Sequence, residues 1–228
     1  MLVGIHQLHY LPWLRYFEKI VRSDVFIVLD NIQYNKNGWQ NRNKIKTSQG
    51  ATLLTVPILS KHQQNLDDVL IASDKSWGKK HWRTIEQAYG KAPFFDLYKD
   101  ELHEIYIEPW NRLNDLNRRM LEWYLTSLGI DTRIEYSSAL DVPGDATERL
   151  INLIHAVDGD HYYSGAYALD VYLDEQKLND ANIRLELQTW VAPEYEQLHG
   201  EFVSDLAMLD LMMHCGPQSL DVLMGQHA

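Results

Sequence analysis

Apolar and polar positions change their period several times along the chain, and each change predicts an element. Val3 and Ile5 begin a short strand; Pro12 then stands where a first helical turn tolerates it, and Trp13, Leu14, Phe17, Ile20 and Val21 recur at helical spacing. Residues 24–30 (DVFIVLD) are an almost continuous apolar run with β-branched and aromatic side chains, the pattern of a strand covered on both faces in a parallel sheet. The opening is therefore a predicted βαβ unit.

Residues 51–58 predict a further strand, after which the period turns helical over 76–89, 94–106 and 110–128, with Gly129 as terminator. Strand character returns at 132–136. Asp145 and Glu148 have the spacing of a capping box before a helix that turns Leu150, Ile151, Ile154 and Val157 inward. Another strand follows Asp158-Gly159 at 161–164. Ile183, Leu185 and Leu187 alternate with Arg184, Glu186 and Gln188, a strand with one wet face that belongs at a sheet edge, and Ser204 is placed to cap a last helix ending at Gly216-Pro217. No repeat or Gly/Ser linker divides the sequence. The expected architecture is α/β: one domain over residues 1–228, with a mixed, largely parallel Rossmann-like sheet and a helical subdomain at about 75–128 whose tryptophans and tyrosines serve as packing.

The βαβ unit says where chemistry should lie. A right-handed crossover makes its two strands parallel and puts both carboxyl ends on one edge, and open α/β sheets bind ligands outside that edge. His6 and Gln7 leave the first strand, and Asp30 and Gln33 leave the second. The segment 35–46 is expected to be a loop over the same crevice.

Composition narrows the function classes. A net charge of −11 argues against nucleic acid held by bulk charge, since that needs a broad basic face. No run approaches the roughly 20 apolar residues of a membrane span. With no signal-peptide pattern at the start and Cys215 as the single cysteine, the expected setting is the reducing cytoplasm, without a disulfide framework. The ten histidines lack metal-site spacing, so no metal is expected. Phosphate-loop, GxGxxG, GxSxG and HExxH signatures are absent. Two segments stand out against the acidic background: 36–46 carries Lys36, Arg42, Lys44 and Lys46, and 75–83 carries four cations, from Lys75 to Arg83, with Trp77 and Trp82. Either is suited to a small anion, or is a solvated face over packed tryptophan.

One long string is distinctive: IHQLHYLPWLRYF (5–17), SDVFIVLDNIQY (23–34) and WQNRNKIK (39–46). With LLTVPI, Lys80-His81, the APFF turn at 92–95, Leu128-Gly129-Ile130, Ser137-Ser138, Ser164-Gly165, Tyr172-Leu173 and Asp210-Leu211, it resembles the WbqC-like family across nearly the whole chain. The resemblance implies a role in bacterial surface-polysaccharide (O-antigen, lipopolysaccharide) biosynthesis, with transfer of glycine or another acyl group to a sugar. This chain departs from the family in having Leu8 where proline is usual and Arg15 where glycine is usual; a bulky Arg15 would fill or recharge the pocket.

The residues supply roles for such a reaction. His6, a type of side chain that titrates near neutrality, is the expected general base, with Asp30 orienting it or accepting a sugar hydroxyl. Arg42 is suited to two-pronged binding of phosphate or carboxylate, Asn41 and Asn43 to sugar hydroxyls, and Trp39 to stacking. Gln7, Tyr10, Gln33, Lys80 and His81 complete the candidate substrate contacts. Against these stand bland readings: His6 anchoring a loop, Asp30 capping the next turn, the asparagines bonded to their own backbone, and Ser137, Ser138 and Ser164 as caps. The expected ligands are a sugar or nucleotide-linked sugar and an activated donor; the sequence assigns no cofactor. Three functions stay open: an acyl- or aminoacyl-transferase acting on an amino sugar, an ATP-dependent amide ligase, and a non-catalytic sugar-nucleotide-binding or scaffold protein using its tryptophan-rich helices.

Overall fold

A computed structural model describes residues 1–59, 63–72, 76–165, 169 and 173–225. Lys75 and Tyr172, named above, lie outside the described residues. The chain divides into two compact units: Met1–Gln7, Arg15–Asn31 and Asp131–Val191 form the first, and Leu8–Leu14, Ile32–Ile130 and Ala192–Ala228 the second.

The first unit holds a five-stranded, wholly parallel sheet built from β1 (Leu2–Gln7), β2 (Val25–Leu29), β7 (Arg133–Tyr136), β8 (His161–Gly165) and β9 (Arg184–Gln188). Their order is β7-β2-β1-β8-β9. The chain therefore winds outward from β1 on one side, through β2 and β7, and then returns to the other side through β8 and β9, as in doubly wound sheets. Helix α1 (Leu14–Arg22) covers one face. The other face carries α6 (Ala146–Ala156) and the short α7 (Glu175–Asp180).

Strand alternation sorts the side chains. Val3, Ile5, Val25, Ile27 and Tyr162 pack with Leu150, Leu153, Ile154, Leu178 and Ile183 into one apolar core. Gly4, Phe26 and Tyr163, which are register partners, turn to the α1 face. A Cβ on Gly4 would lie 2.3 Å from Ser23 Oγ and 3.2 Å from Lys19 Cγ, so only glycine lets α1 approach this closely. β9 is an edge strand, as its alternation predicted.

The second unit contains the helical stretch, α2 (Ser76–Tyr89), α3 (Phe95–Ile107) and α4 (Leu113–Leu128), followed later in the chain by α8 (Met208–Cys215) and α9 (Ser219–Leu223). Gly129 ends α4 in the left-handed region at φ 66°, and its N–H closes the last turn onto Leu125 and Thr126 carbonyls. Trp77, Trp123, Tyr89, Tyr98, Tyr106 and Tyr124 are buried, so these aromatics are packing. Among the described residues no helix is long and apolar enough to cross a membrane.

Three local readings change. Segment 35–46 is not all loop: β3 (Arg42–Thr47) pairs antiparallel with β4 (Gly50–Thr55), and β5 (Ile58–Leu59) with β6 (Leu70–Ile71), so residues 51–58 sit in small hairpin sheets and not in the central one. Ser204 does not cap the helix after it. Its hydroxyl bonds Asp205, and the cap position is Ala207. Asp145 does hold the cap position of α6, but its side chain accepts no capping bond.

Candidate functional site

The β7-β2-β1-β8-β9 order reverses direction at β1, so the switch point lies between β1 and β8, at the ends marked by His6-Gln7 and Ser164-Gly165. Register sets His6 opposite Val28 and Gln7 opposite Leu29. His6 and Gln7 thus face opposite sides of the sheet. His6, half-buried, packs its ring edge-on against Tyr16 of α1 at 5.1 Å, with Nδ1 3.3 Å from the Gln7 carbonyl.

Beside His6 the α1 face is polar. Glu18 is buried; Tyr163 donates to its Oε1 at 2.9 Å, and Gln188 at the end of β9 donates both to Glu18 and to the Arg15 carbonyl, the latter at 3.0 Å. Lys19 is also buried, 4% exposed. Its ammonium makes no hydrogen bond or ion pair among the described residues. Burial lowers its pKa to about 8, the neighbouring Glu18 opposing that shift and Arg15 adding to it. Arg15 is exposed and lies over the Trp190 ring at 5.8 Å, a cation on an aromatic face within the first unit.

Asp30, fully buried, is the centre of a clamp between β2 and the helical turn α5 (Ser137–Leu140). Its Oδ1 accepts from Ser137 Oγ (3.0 Å) and Ser138 N (2.9 Å), and its Oδ2 from Ser138 Oγ (2.7 Å). The carboxylate thus caps a turn more than a hundred residues away in sequence, and both serine hydroxyls donate to it while Tyr136 holds the cap position of the turn. Asn31 Oδ1, next to it, is 2.7 Å from Ser137 Oγ and accepts from Arg149 Nη2 at 2.6 Å. Arg149 Nε is buried with no acceptor.

The remaining sequence-predicted residues belong to the second unit. Gln33 is exposed and bridges to Asn65. Asn41 bonds Val56 O (2.8 Å) and receives Tyr34 Oη (3.0 Å), while Asn43 bonds Leu11 O (2.6 Å), so both amides hold backbone in place. Trp39 meets Trp13 edge-on at 5.1 Å, with Lys44 Nζ 5.8 Å from its ring. Arg42 differs from these: its Nε is buried without an acceptor, and it has no carboxylate partner among the described residues. Lys80 is exposed.

Tyr10 and His81 are brought together. Tyr10 Oη lies 2.9 Å from His81 Nδ1 and 2.7 Å from Tyr106 Oη. His81 also bonds the Thr55 backbone, and burial lowers its pKa to about 4. The neutral ring donates to the Thr55 carbonyl, so Nδ1 accepts from Tyr10, which in turn accepts from Tyr106. Because the unfolded chain takes up a proton near pH 6.5 that the folded ring refuses until about pH 4, stability conferred here is full above pH 6.5 and is lost as pH falls towards 4. The expected result in a histidine-resolved NMR titration is a His81 ring that stays neutral at pH 5; midpoint titration near 6.5 would contradict the chain of bonds.

Lys19, Glu18, Asn31 and Arg149 went unnoticed in sequence. Charged residues on an amphipathic helix read as its solvent side, which hid Glu18 and Lys19. Arg149 did leave a signal: it sits in the first turns of α6, where a cation opposes the helix dipole. Among the described residues no group of three or more His, Cys, Asp or Glu is placed to hold a metal ion.

Comparison with known proteins follows the same lines. A model of the WbqC-like protein family matches residues 7–222. The chain is 38% identical over 229 residues to the uncharacterized protein Rv1507c of Mycobacterium tuberculosis (strain ATCC 25618 / H37Rv), covering 97% of this chain and 96% of that one. No solved structure matches the chain.

Proposed function

Because the chain belongs to the WbqC-like protein family, we propose that it is a transferase of bacterial surface-polysaccharide synthesis, moving an acyl or aminoacyl group, glycyl included, onto an amino sugar carried on a nucleotide. The observation that carries the reading is the strand order: a wholly parallel sheet with its switch point between β1 and β8 suits a nucleotide-linked ligand at the carboxyl edge. His6, half-buried at that edge with its ring held by Tyr16, is the base. In the step it serves, the sugar amine attacks the donor carbonyl, a C–N bond forms, the bond to the donor's thiol or phosphate breaks, and the amine proton passes to imidazole. Gln7 is a substrate contact on the other side of the strand. Arg42, with no carboxylate partner among the described residues, is the second unit's own candidate for holding an anion. Asp30 positions the end of β2, a role its bonds to Ser137 and Ser138 support.

A thermal-shift panel of UDP- and dTDP-linked amino sugars, acetyl-CoA, ATP and free amino acids tests the reading. A ligand at about 100 times its dissociation constant adds about 2.7 kcal/mol of stability. The expected hit is a nucleotide-linked amino sugar, with acyl transfer to it abolished in His6→Ala. Transfer at wild-type rate in that variant would remove His6 from the chemistry. ATP binding with substrate-dependent release of AMP and pyrophosphate would make the protein an amide ligase, and silence across the panel would leave a partner protein.

A further inference from the structure

The geometry points to Lys19 as the phosphate-binding group of the switch-point site, receiving the pyrophosphate of a nucleotide-linked ligand. This rests on the nucleotide reading above and adds to it the residue that meets the charge.

The lysine stem lies across Gly4, where a Cβ would be 3.2 Å from Lys19 Cγ. Gly4 is flanked in register by Phe26 on β2 and Tyr163 on β8, so Lys19 lies over β1, the strand at which the winding reverses. Helix side chains lean towards their helix's amino end, and α1, as the crossover after β1, has that end at the sheet's carboxyl edge. The ammonium is thus carried past Gly4 towards His6, the next residue of β1 on that face, where Tyr16 already touches the imidazole.

Among the described residues it makes no hydrogen bond or ion pair there, though the Glu18 charge acts on it. The charged groups acting on Lys19 are Glu18, which raises its pKa, and Arg15, which lowers it. Glu18, the carboxylate among them, is engaged by Tyr163 and Gln188. A nearly buried ammonium without a hydrogen bond or ion pair is costly, and its lowered pKa expresses that cost. Arg15, in the first turn of a helix that has no acid there, also works against the helix dipole. A doubly charged phosphate group at the amino end of α1 would meet both the buried ammonium and Arg15 at once, which a single carboxylate would do less well.

The test compares wild type with Lys19→Met, which keeps the unbranched stem over Gly4. Inorganic pyrophosphate, UDP and glycine are titrated by calorimetry at pH 7 and low salt. Pyrophosphate and UDP are expected to bind wild type and to lose at least tenfold in affinity in the variant, whose melting temperature holds or rises. Undiminished binding in Lys19→Met would overturn this inference while leaving the nucleotide reading intact; binding of glycine alone, lost in the variant, would make the group a carboxylate site. If the variant does not fold, NMR of [13C]lysine-labelled wild type decides: pyrophosphate should raise the Lys19 titration midpoint by at least one unit. An unmoved midpoint with no binding of either phosphate probe would sink both readings.

Discussion

Asp30→Ala lowers the free energy of unfolding by about 4 kcal/mol in chemical denaturation, the size expected when a buried acceptor of several hydrogen bonds is removed and its donors are left without partners. Ser137 Oγ, Ser138 N and Ser138 Oγ all point at this one carboxylate, and Asp30 N–H donates in turn to Ser137 Oγ at 3.3 Å. Alanine would therefore unfasten α5 from the end of β2, next to Asn31 and Arg149. Asp30→Asn, which keeps one carbonyl acceptor, should lose about half as much. The pair of variants also separates positioning from chemistry. If Asp30 worked on the substrate directly, Asp30→Asn would abolish turnover with an unchanged melting temperature; for a clamp, activity and stability fall together.

Gly78→Ala should be nearly as severe, at about 3 kcal/mol, through a different cause. A Cβ at this position of α2 would sit 2.2 Å from the Tyr106 carbonyl oxygen of α3, a backbone atom that cannot swing aside, so the helices must separate. Tyr106 also heads the chain of bonds through Tyr10 to His81. The variant should therefore restore ordinary titration to His81 as well as lowering the denaturation midpoint. A stable Gly78→Ala protein whose His81 remains neutral at pH 5 would show that α2 and α3 are not in this contact.

Elements with a strong period were legible in the sequence and contacts between distant segments were not. The apolar run at 25–29 and the alternation at 184–188 identified a central and an edge strand because burial on two faces and on one face leave different patterns. Helix α2 was read to the residue. By contrast, Arg42–Thr47 carries Arg, Asn and two lysines, so a hairpin strand held by backbone bonds looked like loop. Ser137 and Ser138 read as caps, but Tyr136 holds the cap position of α5, and nothing local ties the serines to Asp30, since the contact exists only once β7 has docked beside β2. Lys19 is the sharpest case. Burial of a lysine is decided by the glycine opposite it, and Gly4 gives no hint in one dimension of which side chain will lie across it.

The position of β1 in the middle of its sheet has a kinetic consequence. One neighbour, β2, follows within about twenty residues, whereas the other, β8, begins at residue 161, after nearly the whole middle of the chain. At a synthesis rate of roughly 5–20 residues per second, one side of β1 waits on the order of ten seconds for its partner. Its open backbone edge is a template for another chain during that interval. The folding barrier is correspondingly set by closing this long loop, so slow refolding and concentration-dependent losses should originate at β1.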